Sequence, residues 1–455
     1  MNYDLIVNSP ATHWTGFQYV DTRLCIKNIK KLGEELPRSF SDDCTEDRIK
    51  TTHTMLDEIS VTKLLNYRMM TDKKKMMAMK FLHRLASVTH QVHPNLLPVV
   101  TLKMVELTIA HGMSSMSPIG FAYLGSLVAK LGDIKGGYKC ASLAKSLVDK
   151  MNLKEIAGEV YWVSIEILCY IEPLPVANEN RIDCEAIALG AGEVTWACYS
   201  RLMYASGIFW SGSKLSVSAD VYFRGRRFLM SQGHVTTENY LLLLQRSILI
   251  LIGVDEGEFI TDDELKRRVL ANNNPFQVTL YYFQKTFAAF ILDDYHTMKE
   301  SAEEYFKSTG KSWLMMSLTL WLEQGTKFKS QMQSWSEKGS SWNFESKYLL
   351  LQAEEHFCND NIDDAKFIYD KAISSAKTHK WVHEEAIAYE LAANFYFNLK
   401  DYSISLEYFT ASHEKYQKWG AVYKVTRLYK CIQEKFATCL GVPKVCVLSS
   451  IDGFE

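Results

Sequence analysis

The chain has 455 residues, 47% hydrophobic and 23% charged, with a formal net charge of −2. That balance excludes a disordered composition, and it offers neither the basic excess of a nucleic-acid binder nor an acidic tail. The length is large for one compact domain but sets no limit on a stack of repeats.

The first residues, MNYDLIVNSP, lack a basic region ahead of an apolar run, so no signal peptide is expected. A helix is expected over residues 17–35, ending near Leu32-Gly33 and leading into Leu36-Pro37. Residues 38–46 read as a polar loop or helix start, and Ile49 to Leu65 as helix. Thr71 or Asp72 can cap the helix that begins at Lys73-Lys74-Lys75. The three lysines read as a solvated face rather than a phosphate patch, because no further basic cluster adjoins them. Pro98 opens the next helix, which runs to His111-Gly112.

Pro118 to Asp149 reads as a helix pair. Phe121, Leu124, Gly125 and Val128 share one face, Gly132-Asp133 turns, and Gly137, Ala141 and Ala144 line the second helix. Glu155 to Tyr170 is helical until Pro173 and Pro175 break it. Arg181–Tyr204 and Leu215–Met230 form a further pair around Ser211-Gly212-Ser213. The apolar stretch Tyr240–Val254 is interrupted by Gln245 and Arg246. A bilayer span needs about 20 apolar residues, so this stretch reads as a buried helix.

Residues 253–264 read as a polar connection, and Asn272-Asn273-Asn274-Pro275 as a turn. Phe276–Ile291 and Tyr295–Lys307 follow as a pair, then one or two helices over Trp313–Trp335. Residues 345–437 are almost wholly helical in pattern, Gly441-Val442-Pro443 ends it, and KVCVLSSIDGFE shows no helical period. With no sustained strand alternation, the fold class is all-α. The expected organisation is an N-terminal helical segment (1–66), a first repeat block (67–252), a polar connection (253–275), a second block (276–440) and an irregular tail (441–455).

Two similar units follow each other between Lys347 and Val425. Ala365, Tyr369 and Ala372 align with Ser405, Phe409 and Ser412: small, aromatic, small at i, i+4 and i+7, which is one helix face. Ala353 and Ala393 hold the matching small position on the preceding helix. Small residues there let two helices approach closely. The pattern resembles tetratricopeptide repeats, although the period exceeds the usual length of about 34 residues. An α-solenoid of such helix pairs is the expected architecture.

The run through Asn343-Phe344, Lys347, Ala353-Glu354, Tyr369-Asp370-Lys371-Ala372, His383-Glu384-Glu385-Ala386, Glu390-Leu391-Ala392, Phe395-Tyr396, Tyr416, Trp419-Gly420-Ala421 and Lys424-Val425 carries a family resemblance. It is similar to the helical-repeat region of multidomain signalling kinases. Met70-Thr71-Asp72, Ala78-Met79, Leu96–Val105 and Phe121–Leu147 extend the resemblance over most of the chain. Members of that family carry protein-kinase-like and AAA-type ATPase domains before the repeats, and GAF and histidine-kinase domains after them. The resemblance implies signal transduction, with the repeats as a scaffold between ATPase and kinase domains. The tail departs from that pattern.

Catalytic motifs are absent from the sequence. No Gly-x-x-x-x-Gly-Lys-Ser/Thr occurs, so there is no P-loop, and Gly190-Ala191-Gly192 lacks a dinucleotide fingerprint. His-Arg-Asp and Asp-Phe-Gly are both missing, and His83-Arg84-Leu85 lacks the aspartate. His379 and His383 stand at i and i+4, but Trp381-Val382 looks like a junction and no His-Glu-x-x-His is formed. His90 and His93 straddle a loop before Pro94. Ten scattered cysteines without Cys-x-x-Cys read as free core thiols of a reducing compartment.

By register, Phe283, Phe287 and Phe290 fall on the inner face of a helix pair, as core or as a hydrophobic peptide groove. Lys347, Glu354, Glu390, Asn394 and Asn398 take inner positions in the later units. Asn394 suits a clamp for a peptide carboxylate, whereas Glu354 and Glu390 repel one. The expectation is a non-catalytic, cytoplasmic interaction and regulatory module without cofactor or metal. Its partners would be proteins or peptides, such as kinase or ATPase domains, and neither nucleic acid nor membrane. A stand-alone peptide-binding adaptor is one alternative; an enzyme with an unrecognised site is another.

Overall fold

The computed structural model describes residues 22–36, 42–92, 96–254, 260–272, 274–309 and 325–440. Among them the fold is all-α, with no strand; one isolated backbone pairing joins Met69 and Met113. The tail 441–455, His93 and residues 313–324 of the expected helical stretch lie outside the described residues.

The described residues form two compact units. The first comprises the chain up to Tyr204 with Leu229–Thr237 and Lys338–Ser340; the second comprises Ala205–Phe228, Glu238–Glu337 and the chain from Ser341 on.

In the first unit, α1 (Thr22–Lys31) packs on α4 (Lys73–Val92), and α2 (Asp42–Asp57) on α5 (Leu97–His111) and α6 (Ser117–Lys130). The helix expected through Leu65 stops at Asp57, and Ser60 caps a separate short α3 (Val61–Leu65). Asp72 caps α4 through the backbone N–H groups of Lys74 (2.8 Å) and Lys75 (3.3 Å). Those bonds hold its carboxyl below the usual range. Lys75 and Lys103 both pair with the buried Glu34, so one lysine of the run is engaged in the fold.

Helices α6 and α7 (Ile134–Met151) pack on each other and on α8 (Ala157–Leu168), and α8 packs on α9 (Leu174–Gly190). Phe121, Leu124, Ala141 and Ala144 are all fully buried. At the α6–α7 contact a Cβ on Gly125 would stand 2.8 Å from the Gly137 carbonyl oxygen, and one on Gly137 would stand 2.7 Å from the Gly125 oxygen. Only glycine allows the two backbones to come this close.

The single helix expected over Arg181–Tyr204 is two helices, α9 and α10 (Val194–Trp210), parted at 191–193. Gly192 takes a left-handed conformation there (φ 77°). The backbone N–H of Glu193 then bonds back to the Ala188 carbonyl at 2.8 Å.

The same closing bond recurs along the chain. His234, Asp294, Asn361, Trp381 and Asp401 each donate a backbone N–H to the carbonyl five residues earlier at 2.9 or 3.0 Å, and Asp133 does so at 3.2 Å. The residue before each has positive φ: Gly233, Asp293, Asp360, Lys380, Lys400 and Gly132. This is the six-to-one bond of a Schellman cap, which stops a helix and turns the chain within three residues.

The second unit contains α11 (Leu215–Ser231) and α12 (Val235–Ile252), each in large part, and α13 (Asp262–Ala271), which lies inside the expected polar connection. There follow α14 (Pro275–Ile291), capped by Asn274, α15 (Tyr295–Thr309) and α16 (Gly325–Lys338). The last five are α17 (Ser341–Cys358), α18 (Ile362–Thr378), α19 (Val382–Asn398), α20 (Tyr402–Trp419) and α21 (Val422–Leu440). Each of these five packs on the next where their contacts are described: α17 on α18, α18 on α19, α19 on α20 and α20 on α21. Ala353, Ala365, Ala393 and Ser405 are fully buried at the helix contacts. By length and composition α12 is apolar enough to cross a membrane, but 72% of it is buried inside the fold.

Candidate binding cleft

A cleft within the second unit has a volume of about 280 Å³. Its wall is assembled from helix faces. Leu243, Arg246, Ser247 and Ile250 come from α12, and Tyr281, Gln284, Lys285 and Ala288 from α14. Both sets stand at i, i+3, i+4 and i+7, a single helical stripe. Asp262 and Leu265 of α13 and Tyr423 and Arg427 of α21 complete it, with Asp294 and Thr297 at the start of α15.

Asp262 is the charge centre. It accepts hydrogen bonds from Lys285 Nζ (2.7 Å) and the Tyr281 hydroxyl (2.9 Å), and Arg246 stands at 3.4 Å. Burial opposes its charge, but Lys285, Arg246 and Tyr281 together hold its carboxyl below the usual range. Burial, reinforced by Asp262, raises the Tyr281 phenol. Asp294 is committed to its own helix: it accepts the Thr297 backbone N–H at 3.1 Å, and bonds from Thr297 keep it acidic.

Two lining groups have no such commitment. Gln284 is 3% exposed, yet neither its amide oxygen nor its amide nitrogen has a partner among the described residues. Leaving a buried polar group unsatisfied costs about 1–3 kcal/mol. Arg427 is exposed and makes no hydrogen bond or ion pair among the described residues, although its charge reaches Asp294.

The residues singled out by sequence lie elsewhere in the unit. Phe283 and Phe287 are buried, with ring centroids 5.9 and 5.1 Å from that of Trp210. Phe290 is half-buried. Phe283 and Phe287 are core rather than groove, and the neighbouring stripe of the same helix, through Tyr281, Gln284 and Lys285, lines the cleft.

Lys347 pairs with the buried Glu384 and lies 4.7 Å from the Trp381 ring centroid. Glu354 accepts the Tyr369 hydroxyl at 2.5 Å, and burial raises its carboxyl. Glu390 accepts the Tyr416 hydroxyl (2.8 Å) and the Lys424 ammonium (2.6 Å). Lys424 is fully buried and also donates to Asp293 at 2.7 Å. Asn394 is bonded to Lys435, and Asn398 is exposed. Glu354, Glu390 and Lys347 are thus consumed between the helices and do not converge on a shared surface.

His379 caps the end of α18 while His383 sits on α19, so the junction expected at Trp381-Val382 parts them. Among the described residues no group of three or more His, Cys, Asp or Glu side chains is placed to hold a metal. In the first unit, buried Glu159 gathers His83 (2.8 Å), Ser87 (2.9 Å) and Tyr123 (2.9 Å). The serine bonds the carboxylate and not the imidazole, so the three are not wired as a nucleophile–base–acid relay. Burial pushes the thiols of Cys140, Cys169, Cys184 and Cys198 up to about 12, which makes them unreactive.

Sequence left one visible sign of the cleft, Arg246 within an apolar stretch. No family model matches the chain, and no curated protein matches it either.

Proposed function

We propose that this chain is a non-catalytic interaction and regulatory module built from tetratricopeptide-like helix pairs, and that it binds a polypeptide partner. The observation that carries this reading is the cleft: stripes of α12 and α14 line it, the unpartnered amide of Gln284 lies in its wall, and α21 adds the exposed, unpaired guanidinium of Arg427. The repeated Schellman turns and the small residues at the α19–α20 contact support the repeat architecture. Kinase-linked signalling, implied by the resemblance, supplies the context.

Panning a random-peptide display library against the full chain tests it. Binders sharing a sequence motif are expected, and no turnover of Mg-ATP by the purified protein. Recovery of unrelated sequences at background level, or steady ATP hydrolysis, overturns the proposal.

A further inference from the structure

We infer that the cleft between α12, α14 and α21 is a recognition site for an acidic residue, taking its carboxylate on Arg427 and its adjoining amide on Gln284. The inference rests on the interaction role proposed above and names the ligand chemistry of that site.

The argument is one of matching commitments. The cleft holds three cations and two carboxylates. Lys285 and Arg246 are drawn to Asp262, and Asp294 caps α15. What remains is a single positive charge at the mouth, Arg427. A carboxylate balances that charge, and its two oxygens match the guanidinium fork. A phosphate dianion would exceed it and face Asp262 and Asp294 besides.

Deeper in, Gln284 offers one acceptor and one donor group with no partner in the fold. An amide is the complementary group, since it returns one donor and one acceptor. Turning the Gln284 side chain toward the cleft gives both atoms a partner. Leu243, Ile250, Leu265, Ala288 and Leu292 supply apolar wall for an aliphatic stem between the two polar ends. The volume, about 280 Å³, suits one side chain with its peptide group; drug-sized ligands occupy about 300–1,000 Å³.

The same chemistry exists in a polypeptide and in a free N-acylated acidic amino acid. Calorimetry of the full chain separates them, using N-acetylglutamate and an end-capped hexapeptide of glycine, alanine and serine with one glutamate. Each is compared with its glutamine counterpart. Expected are a submillimolar Kd for at least one acidic ligand, and binding weaker by about tenfold or more for its glutamine form. Equal binding of both ligands assigns the site to the free amino acid; clear preference for the hexapeptide assigns it to polypeptide.

Arg427→Gln is expected to weaken binding about tenfold or more. Gln284→Leu should weaken it comparably while its urea midpoint stays at or above the parent's, because the lost amide had no partner. No binding by either ligand, no discrimination against glutamine, or unchanged binding in both variants overturns the inference. Display-selected peptides whose binding ignores Arg427 would leave the interaction role standing and remove this site.

Discussion

The α6–α7 pair and the α19–α20 pair solve the same problem with different chemistry. Both must bring two helices close across a three-residue turn. In α6–α7 backbone meets backbone at Gly125 and Gly137, with Cys140 and Ala141 beside them. In α19–α20 alanine and serine hold the contact. Ser405 Oγ donates to the Ala393 carbonyl (2.8 Å), and Ser412 Oγ to the Ala386 carbonyl (2.9 Å). Glu390, Tyr416 and Lys424 add a buried polar network at the same pair. Close approach therefore does not require a dry interface. Short hydroxyls keep the gap narrow and spend their hydrogen bonds on the facing helix.

The largest effect is expected at the aromatic that closes the polar pair. Trp419 is fully buried, with its ring centroid 5.4 Å from His383, 6.1 Å from Phe209 and 6.4 Å from Tyr416. Trp419→Ala should cost about 3–5 kcal/mol. Hydrogen exchange should show α19–α21 losing protection while α6–α7 keeps it. Uniform loss in both pairs would mean that they unfold as one cooperative block.

A pH dependence of similar size belongs to the polar pair. Burial depresses the His383 imidazole to about 4, Glu384 partly opposing that and Lys347 adding to it. Gly212 makes the burial possible, since a Cβ there would stand 2.6 Å from His383 Nδ1. A depressed folded pKa means that the unfolded chain binds the proton more readily. The contribution is therefore present above about pH 6.5 and lost as pH falls toward 4, on the order of 3 kcal/mol. Glu354 and Glu390, raised by burial, change stability in the opposite sense. Comparing urea midpoints of the parent and His383→Leu across that window isolates the histidine: the parent should lose more stability on acidification. Parallel curves would mean that His383 does not titrate differently on folding.

Gly125→Ala probes the dry pair. The added Cβ meets the Gly137 carbonyl oxygen, backbone that moves only with its helix. Overpacking of this kind costs about 1–3 kcal/mol, against a helix-propensity gain of about 1 kcal/mol for alanine over glycine. Net destabilisation in thermal or urea unfolding is expected; a more stable variant would show that the two helices can move apart freely.

What could be read in the sequence follows from these contacts. Gly125, Gly137, Ala353, Ala365, Ala393 and Ser405 show as small residues at helical spacing, because close approach restricts residue size whatever the partner. The left-handed conformation of Lys380 and Lys400 is hidden, since it leaves no compositional mark at a lysine, although the junction at Trp381-Val382 was expected. The break at 191–193 carried its glycines, but the apolar pattern on either side read as continuous. Phe283 and Phe287 illustrate the limit for sites. Helical spacing put them on one face, but their burial against Trp210 depends on a segment more than one helix away in sequence. The cleft needs five such segments at once, and only Arg246, a charge in an apolar run, betrayed it.

The smallest effect would define how much the hydroxyl bonds matter. Ser405→Ala keeps the contact narrow, since alanine is smaller than serine, and removes only the bond to the Ala393 carbonyl. That carbonyl lies within α19 and has its own helical partner to fall back on, so it is not orphaned. The loss should be about 1 kcal/mol, the net worth of one buried hydrogen bond. Ser405→Gly would instead add a helix-propensity penalty of about 1 kcal/mol without improving the fit. Unfolding of the three proteins in urea orders them: parent, then alanine, then glycine. If alanine proves equal to the parent, small size alone would hold the α19–α20 contact. The polar pair would then follow the same rule as the glycine pair.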